Sequence, residues 1–163
     1  MKKKALNIEP SAKKIRRIVV RRSSIHGRGV FATTTLGAGE LICEYKGTLV
    51  PWGVAMSRPP RDVSQPDHTF FFDLGDGYVI DGAVGGNSAR WINHSCAPNC
   101  EPELDGRRIF IRALRRITVG EELSIDYALV GEEKPSRALR ERYRCSCSAR
   151  KCRGTMLADT HSR

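Results

Sequence analysis

Arg90-Trp91-Ile92-Asn93-His94-Ser95-Cys96-Ala97-Pro98-Asn99-Cys100 is the stretch around which the chain is organised. It holds an Arg, a Trp, two Asn, one His and two Cys in 11 residues, with Gly85-Gly86 just ahead of it and Pro98 inside it. No amphipathic period runs through it, so neither an ordinary strand nor a long helix is expected there. Polar side chains at this density, beside an indole and two thiols, point to a site.

On both sides of this stretch the pattern changes to short strands and turns. Downstream, residues 101–104 and 107–114 read as a hairpin around Asp105-Gly106, a strong turn signal. Residues 121–125 read as a strand behind Val119-Gly120. Upstream, residues 68–74 and 78–81 read as a hairpin around Gly75-Asp76-Gly77, and 87–93 as a short helical turn. Nearer the start, strands are expected at 15–22, 30–35 and 40–50, the last bending at Gly47. Residues 51–67 carry Pro51, Pro59, Pro60 and Pro66 and read as an excursion, with a short helix at 52–57. A second short helix is expected at 136–143. Many short strands and little helix give a mostly β body with no βαβ series, hence no dinucleotide-binding fold. Gly27-Arg28-Gly29 reads as a tight turn, or as backbone that approaches a ligand closely because glycine has no Cβ.

The net charge of +10 is unevenly spread. Residues 1–22 hold nine Lys/Arg against one acid, and 137–153 hold seven against one, so the remaining body is mildly acidic. Basic flanks suit nucleic acid or an acidic protein surface, and an acidic body suits a basic substrate such as a Lys-rich peptide. There is no long apolar run to cross a membrane, and Met1-Lys2-Lys3-Lys4 lacks the apolar segment of a signal peptide. An intracellular, reducing compartment is therefore expected. In such a compartment the six Cys favour metal binding over a disulfide framework. Cys145-x-Cys147-x4-Cys152 can wrap one ion, and zinc takes four N or S ligands, so a fourth must come from elsewhere. Cys96 is the first candidate, with Cys100 or Cys43 as substitutes. A His94–Cys96 nucleophile pair is the competing reading of the same thiol.

At this point a family resemblance enters. Residues 90–99 resemble the (R)(F/W)xNHSCxPN signature of SET-domain protein lysine methyltransferases. Glu122-Leu123-Ser124-Ile125-Asp126-Tyr127 is similar to that family's ELxxDY motif, and Ile25-His26-Gly27-Arg28-Gly29-Val30-Phe31 to its GxG segment. Glu44-Tyr45-Lys46-Gly47 resembles EYxG, and Cys145-x-Cys147-x4-Cys152-Arg153-Gly154 the post-SET zinc motif. The five motifs occur in family order over residues 16–157. The chain is similar to the minimal SET proteins found in bacteria, which would place it in the cytoplasm; a eukaryotic or host-delivered form would act in the nucleus.

The resemblance implies a mostly β, β-clip-like SET fold of small sheets, in which the NHSC and DY segments meet in a pseudoknot. It divides the chain into a basic arm (1–15), a SET domain (16–130, with a short insert at 51–67), a linker and post-SET zinc segment (131–157) and a tail (158–163). The implied activity is S-adenosylmethionine-dependent methylation of lysine in a histone or another basic protein. Gly27, Arg28, Gly29, Phe70, Arg90, Trp91, Asn93 and His94 would surround the cofactor. Tyr45 would line the lysine channel and Tyr127 would be the catalytic tyrosine. Cys96, Cys145, Cys147 and Cys152 would bind one zinc, which removes the thiol nucleophile. Two residues depart from the common pattern. Phe70 stands where many relatives have Tyr, and Ile125 where Phe or Tyr is usual, leaving room for di- or trimethyl products. The alternative is a non-catalytic module of this fold that binds a basic peptide or nucleic acid.

Overall fold

The structure, a computed structural model, describes residues 16–130 and 135–158. The expected basic arm, most of the linker and most of the tail lie outside the described residues. Among the described residues, ten strands form three small sheets. β1 (Ile18–Arg22) and β2 (Arg28–Ala32) make an antiparallel pair. β3 (Leu41–Tyr45) pairs with the hairpin of β8 (Cys100–Asp105) and β9 (Arg108–Ala113), while β4 (Thr48–Pro51) pairs with β6 (Tyr78–Asp81) beside β5 (Phe71–Asp73). A six-residue helix, α1 (Trp52–Ser57), and a 3-10 turn, Ser88–Trp91, separate these strands. β7 (Asn93–His94) and β10 (Glu122–Ile125) complete the first sheet, in the order β1-β2-β10-β7. A second short helix, α2 (Arg137–Arg142), starts at Ser136, whose hydroxyl accepts the Leu139 N–H at 3.1 Å.

Local sequence accounts for most of this. β9 alternates strictly, with Ile109, Ile111 and Ala113 buried and the residues between them outside. Its partner β8 is an edge strand kept soluble by Glu101, Pro102, Glu103 and Asp105. The expected single strand over 40–50 is two strands in different sheets. Gly47 marks the switch, because a Cβ there would collide with the Asp81 backbone, against which β4 must pack. The expected strand over 68–74 shortens to Phe71–Asp73, since the Phe70 carbonyl is used by the Gly82 N–H at 2.9 Å and the Tyr45 hydroxyl at 2.7 Å.

The core packs Val30, Leu36, Ile111, Ile117 and Leu123, all fully buried, between the first two sheets. Leu36 and Ile117 close it by exchanging backbone hydrogen bonds of 2.9 and 3.0 Å. No described helix is long and apolar enough to cross a membrane.

The expected meeting of the NHSC and DY segments takes the form of a parallel pairing. Asn93 lies opposite Ser124 and His94 opposite Ile125, and the ladder continues through Ser95 N–H to Ile125 O at 2.9 Å. Asn99 reinforces it from below, accepting the Ser124 N–H at 2.8 Å and donating to the Glu122 carbonyl at 2.8 Å and to Glu121 Oε1 at 3.1 Å. Glu121 also pairs with Arg115 and accepts the Thr118 N–H. Burial opposes its ionisation, but Arg115, Thr118 and Asn99 outweigh burial and hold its pKa at about 2, below the ordinary 4.5.

A depressed folded-state pKa stabilises the native chain above the unfolded value and loses that effect as pH falls through the folded one. Glu121→Gln is therefore expected to cost about 1–2 kcal/mol at pH 7 and to flatten the loss of stability between about pH 4.5 and 2. Urea unfolding across that range measures both.

Candidate active site and four-thiol cluster

The buried strand β7 sets the site. Asn93 and His94 are only 8% and 3% exposed, so their polar groups must find partners inside the protein. Asn93 Nδ2 reaches the His26 carbonyl (3.2 Å), the Arg28 carbonyl (2.9 Å) and Glu122 Oε1 (2.9 Å). Glu122 in turn accepts the Ser23 hydroxyl at 2.8 Å. This carboxylate fills the space where a Gly29 Cβ would stand, and Gly27 has φ +45°, so both glycines of the GxG turn are required by backbone and packing.

An aromatic and cationic wall stands beside the turn. Trp91 has the Arg28 and Arg90 guanidiniums each 5.0 Å from its ring centre and Phe70 edge-on at 4.9 Å. Phe70 continues to His68 and His68 to His26, each ring pair at 5.1 Å. Arg90 Nη1 donates to the Gly82 carbonyl at 3.3 Å, while its buried Nε has no hydrogen-bond partner.

His94 has both ring nitrogens committed. Nδ1 accepts the Tyr127 N–H at 3.0 Å, so the proton sits on Nε2, which faces Cys96 Sγ at 3.4 Å. Burial lowers the pKa of His94, against the pull of Asp126, and keeps the ring neutral at physiological pH. The Tyr127 ring leans on this imidazole at 5.4 Å, and its hydroxyl donates to the Ile92 carbonyl at 2.8 Å. Tyr127 as a whole is 38% exposed, with its hydroxyl tied to the protein by that bond. Burial, and then Glu122, push its pKa above the usual tyrosine range. Tyr45 is buried, and burial, then Tyr127 and Asp81, push it the same way. Both are neutral donors at physiological pH, and neither is a base.

The four thiols of Cys96, Cys145, Cys147 and Cys152 all lie within 4.8 Å of one another. Cys96 Sγ is 3.7 Å from Cys145 Sγ and 3.8 Å from Cys152 Sγ. A tetrahedron with metal–sulfur bonds of about 2.3 Å has edges of roughly 3.8 Å. Every sulfur accepts a backbone N–H, from Arg153 to Cys96, Cys147 to Cys145, Cys96 to Cys147 and Gly154 to Cys152, at 3.3 to 3.4 Å. Such donors favour thiolates. At Cys147 burial is outweighed by the Cys96 and Ala149 amides and the neighbouring thiols, which bring its pKa to about 6. The two substitutes lie outside the cluster, with burial pushing Cys100 up to about 12 and Cys43, despite Arg17, up to about 11. Cys96 and His94 do touch, as a nucleophile pair would, but burial raises the Cys96 thiol and three other sulfurs surround it.

Four residues of the site carried no role in the sequence reading: Ser23, Glu122, Asp126 and Arg153. Glu122 and Asp126 had a usable signal. Each is a carboxylate on or just after a strand whose other residues are buried, which demands a partner. Arg153 had only its place in the quoted zinc motif, since a basic residue in a basic tail otherwise reads as a solvated charge.

A model of the SET domain matches residues 27–128. Histone-lysine N-methyltransferase trithorax of Drosophila virilis is 40% identical over 136 residues, covering 81% of this chain and 3% of that protein. Histone-lysine N-methyltransferase 2B of Homo sapiens is 38% identical over 138 residues, covering 82% and 5%. The H3 lysine-4 specific histone-lysine N-methyltransferase of Saccharomyces cerevisiae is 34% identical over 154 residues, covering 91% and 14%. The chain thus spans only a small part of the length of each relative. Among solved structures, ctPRC2 in an autoinhibited conformation bound to S-adenosylmethionine superposes with a TM-score of 0.61 at 30% identity, over 69% of this chain and 15% of that one. Family match, fold and motif order agree: the chain belongs to the SET-domain family.

Proposed function

We propose that this protein transfers a methyl group from S-adenosylmethionine to the side-chain amine of a lysine in a histone or another basic protein. The observation that carries the reading is the pair of neutral phenols, Tyr45 and Tyr127, each with its hydroxyl hydrogen donated to a backbone carbonyl at 2.7 and 2.8 Å. A phenol that donates its own hydrogen keeps its oxygen lone pairs for an incoming amine. The three relatives named above as histone-lysine methyltransferases support the same activity.

The residues present fit the cofactor. The buried, unpartnered Arg90 Nε is a donor lacking an acceptor, and Trp91 and Phe70 offer flat apolar faces beside it. We assign Gly27, Arg28, Gly29, Phe70, Arg90, Trp91, Asn93 and His94 to this face. Asn93 acts by holding the GxG turn, and His94 can reach a ligand only through its backbone, because its ring is committed. Bound S-adenosylmethionine supplies a methyl group on a cationic sulfonium.

The chain's own groups do the rest. A lysine amine with a solution pKa of about 10.4 must lose its proton to water before it can attack. An apolar, enclosed channel disfavours the ammonium form. Tyr45 and Tyr127 accept N–H bonds from the neutral amine and aim its lone pair along the line of attack, which is the orientation effect. The N–C bond forms as the S–C bond breaks, without a covalent enzyme intermediate. Ile125, buried and without a hydroxyl, leaves room for a dimethylated or trimethylated amine. The four thiols fit one zinc, which would tie the tail to β7. In this reading residues 16–130 form the catalytic body with its insert at 51–67, residues 131–157 the zinc-held closure, and residues 1–15 and 158–163 the flanks.

A contact with nucleic acid is the second partner we propose. Arg21 and Arg22 end β1 at an open cleft and give it an exposed basic edge that suits a phosphate backbone.

Three measurements test these readings. Purified protein should methylate a histone panel or a lysate with labelled cofactor, and Tyr127→Phe should lower kcat by about a hundredfold or more; failure of wild-type protein both to bind cofactor and to label any substrate would sink the proposal. Elemental analysis should find one zinc per chain and clear loss of it in Cys96→Ser, with a lowered Tm. Duplex DNA affinity should fall steeply with salt, by a slope that shrinks by about 1 for each of Arg21 and Arg22 removed.

A further inference from the structure

Tyr127 stands on a turn that needs outside support. The next residue, Ala128, has φ +43°, a left-handed conformation that a residue with a Cβ seldom holds. Three side-chain contacts secure the turn. Asp126 Oδ1 accepts the Ala128 N–H at 3.0 Å, and His94 Nδ1 accepts the Tyr127 N–H at 3.0 Å. Arg153 then grips the Asp126 carboxylate with both terminal nitrogens, Nη1 to Oδ2 at 2.5 Å and Nη2 to Oδ1 at 2.7 Å. The pair is largely shielded, with side-chain exposures of 19% and 30%, and a bidentate guanidinium–carboxylate contact of this kind fixes direction as well as distance.

The backbone of Arg153 is wound onto the thiols. It lies between Cys152 and Gly154, its own N–H points at Cys96 Sγ, and the Gly154 carbonyl accepts the Cys145 N–H at 3.1 Å. Two struts therefore run from the cluster to the tyrosine. One passes from Cys96 through the His94 ring to the Tyr127 N–H. The other passes from Cys152 through Arg153 and Asp126 to the Ala128 N–H.

We propose that Arg153 is a positioning residue through which the metal state of the four thiols sets the orientation of Tyr127. The proposal rests on the methyltransferase and zinc readings above. With the cluster filled, the 152–154 turn is fixed and Arg153 holds Asp126, so the 126–128 turn keeps its strained shape and the phenol stays on the Ile92 carbonyl. With the cluster empty, both struts loosen together and the turn relaxes.

Hydrogen–deuterium exchange of residues 126–129, read by mass spectrometry beside zinc content and steady-state kinetics, tests this. Arg153→Gln is expected to keep its zinc, to exchange faster across 126–129, and to lose about ten- to a hundredfold in kcat with little change in KM for peptide. Arg153→Lys is expected to recover part of that loss, because it restores the charge without the fork. Chelating zinc from the wild type should speed exchange at 126–129, and should add less in Arg153→Gln than in the wild type. Wild-type exchange and kcat in Arg153→Gln would overturn the proposal, as would loss of zinc from that variant, which would make Arg153 part of the cluster's own fold. Protection at 126–129 that survives chelation of the wild type would overturn it without any variant. If the wild type transferred no methyl group at all, the exchange arms would still decide the coupling, so failure of the activity is separable from failure of the strut.

Discussion

A parallel pairing two residues long, Asn93 with Ser124 and His94 with Ile125, is the constraint on which the rest of the structure depends. It brings together segments about 30 residues apart and buries their polar side chains. Burying an amide, an imidazole and a hydroxyl without partners would cost several kcal/mol, so each neighbouring element is obliged to supply one. The GxG turn supplies carbonyls to Asn93, Glu122 supplies its carboxylate, and Asn99 ties off the strand on the other side. The site is thus a consequence of satisfying β7. The residues that would meet a cofactor stand where they do because the strand between them has no other way to pair its polar groups.

Much of the fold was legible because it rests on local chemistry. The hairpin of β8 and β9 follows from Asp105-Gly106 and the alternation of Ile109, Ile111 and Ala113, and α1 falls at Trp52–Ser57 as its setting between prolines implies. The switch at Gly47 was not legible, since glycine in a strand signals either a bend or a close approach, and only the Asp81 backbone decides which. The cysteines divide in the same way. Spacing identifies three thiols that can share an ion, but the fourth is 49 residues from Cys145, so Cys96 stood as first candidate with Cys100 and Cys43 as substitutes until the family motif favoured it. Charged pairs were the least legible part. Arg153 looks like a solvated charge in a basic tail, and it becomes half of a shielded fork with Asp126 only when the tail folds back onto the segment after β10.

The electrostatic arrangement has one direction throughout. Phenols and the imidazole at the site are kept neutral by burial, while the carboxylates are kept charged by guanidiniums and amides. Glu122, which could have acted as a base by its position, is occupied by Asn93 and Ser23. Among these described groups none is therefore set to take a proton permanently, as the proposed lysine chemistry would require. That suits a reaction whose nucleophile arrives already neutral and needs alignment more than proton transfer.

The same reasoning explains why the tail calls for a metal. Across residues 135–158 only Thr155 and Leu157 are buried, so this segment removes little apolar surface from water. At about 25 cal/mol per Å², burial on that scale falls far short of the conformational entropy lost in ordering more than twenty residues. Hydrogen bonds from Met156 to Tyr143 and from Leu129 to Met156 align the tail with the body, yet their net contribution is about 1 kcal/mol each. A four-thiolate zinc site would contribute on the order of 10 kcal/mol toward that deficit. The fork of Arg153 on Asp126 and the ring of His94 against Cys96 would then place that energy beside Tyr127, where the proposed chemistry would depend most on position.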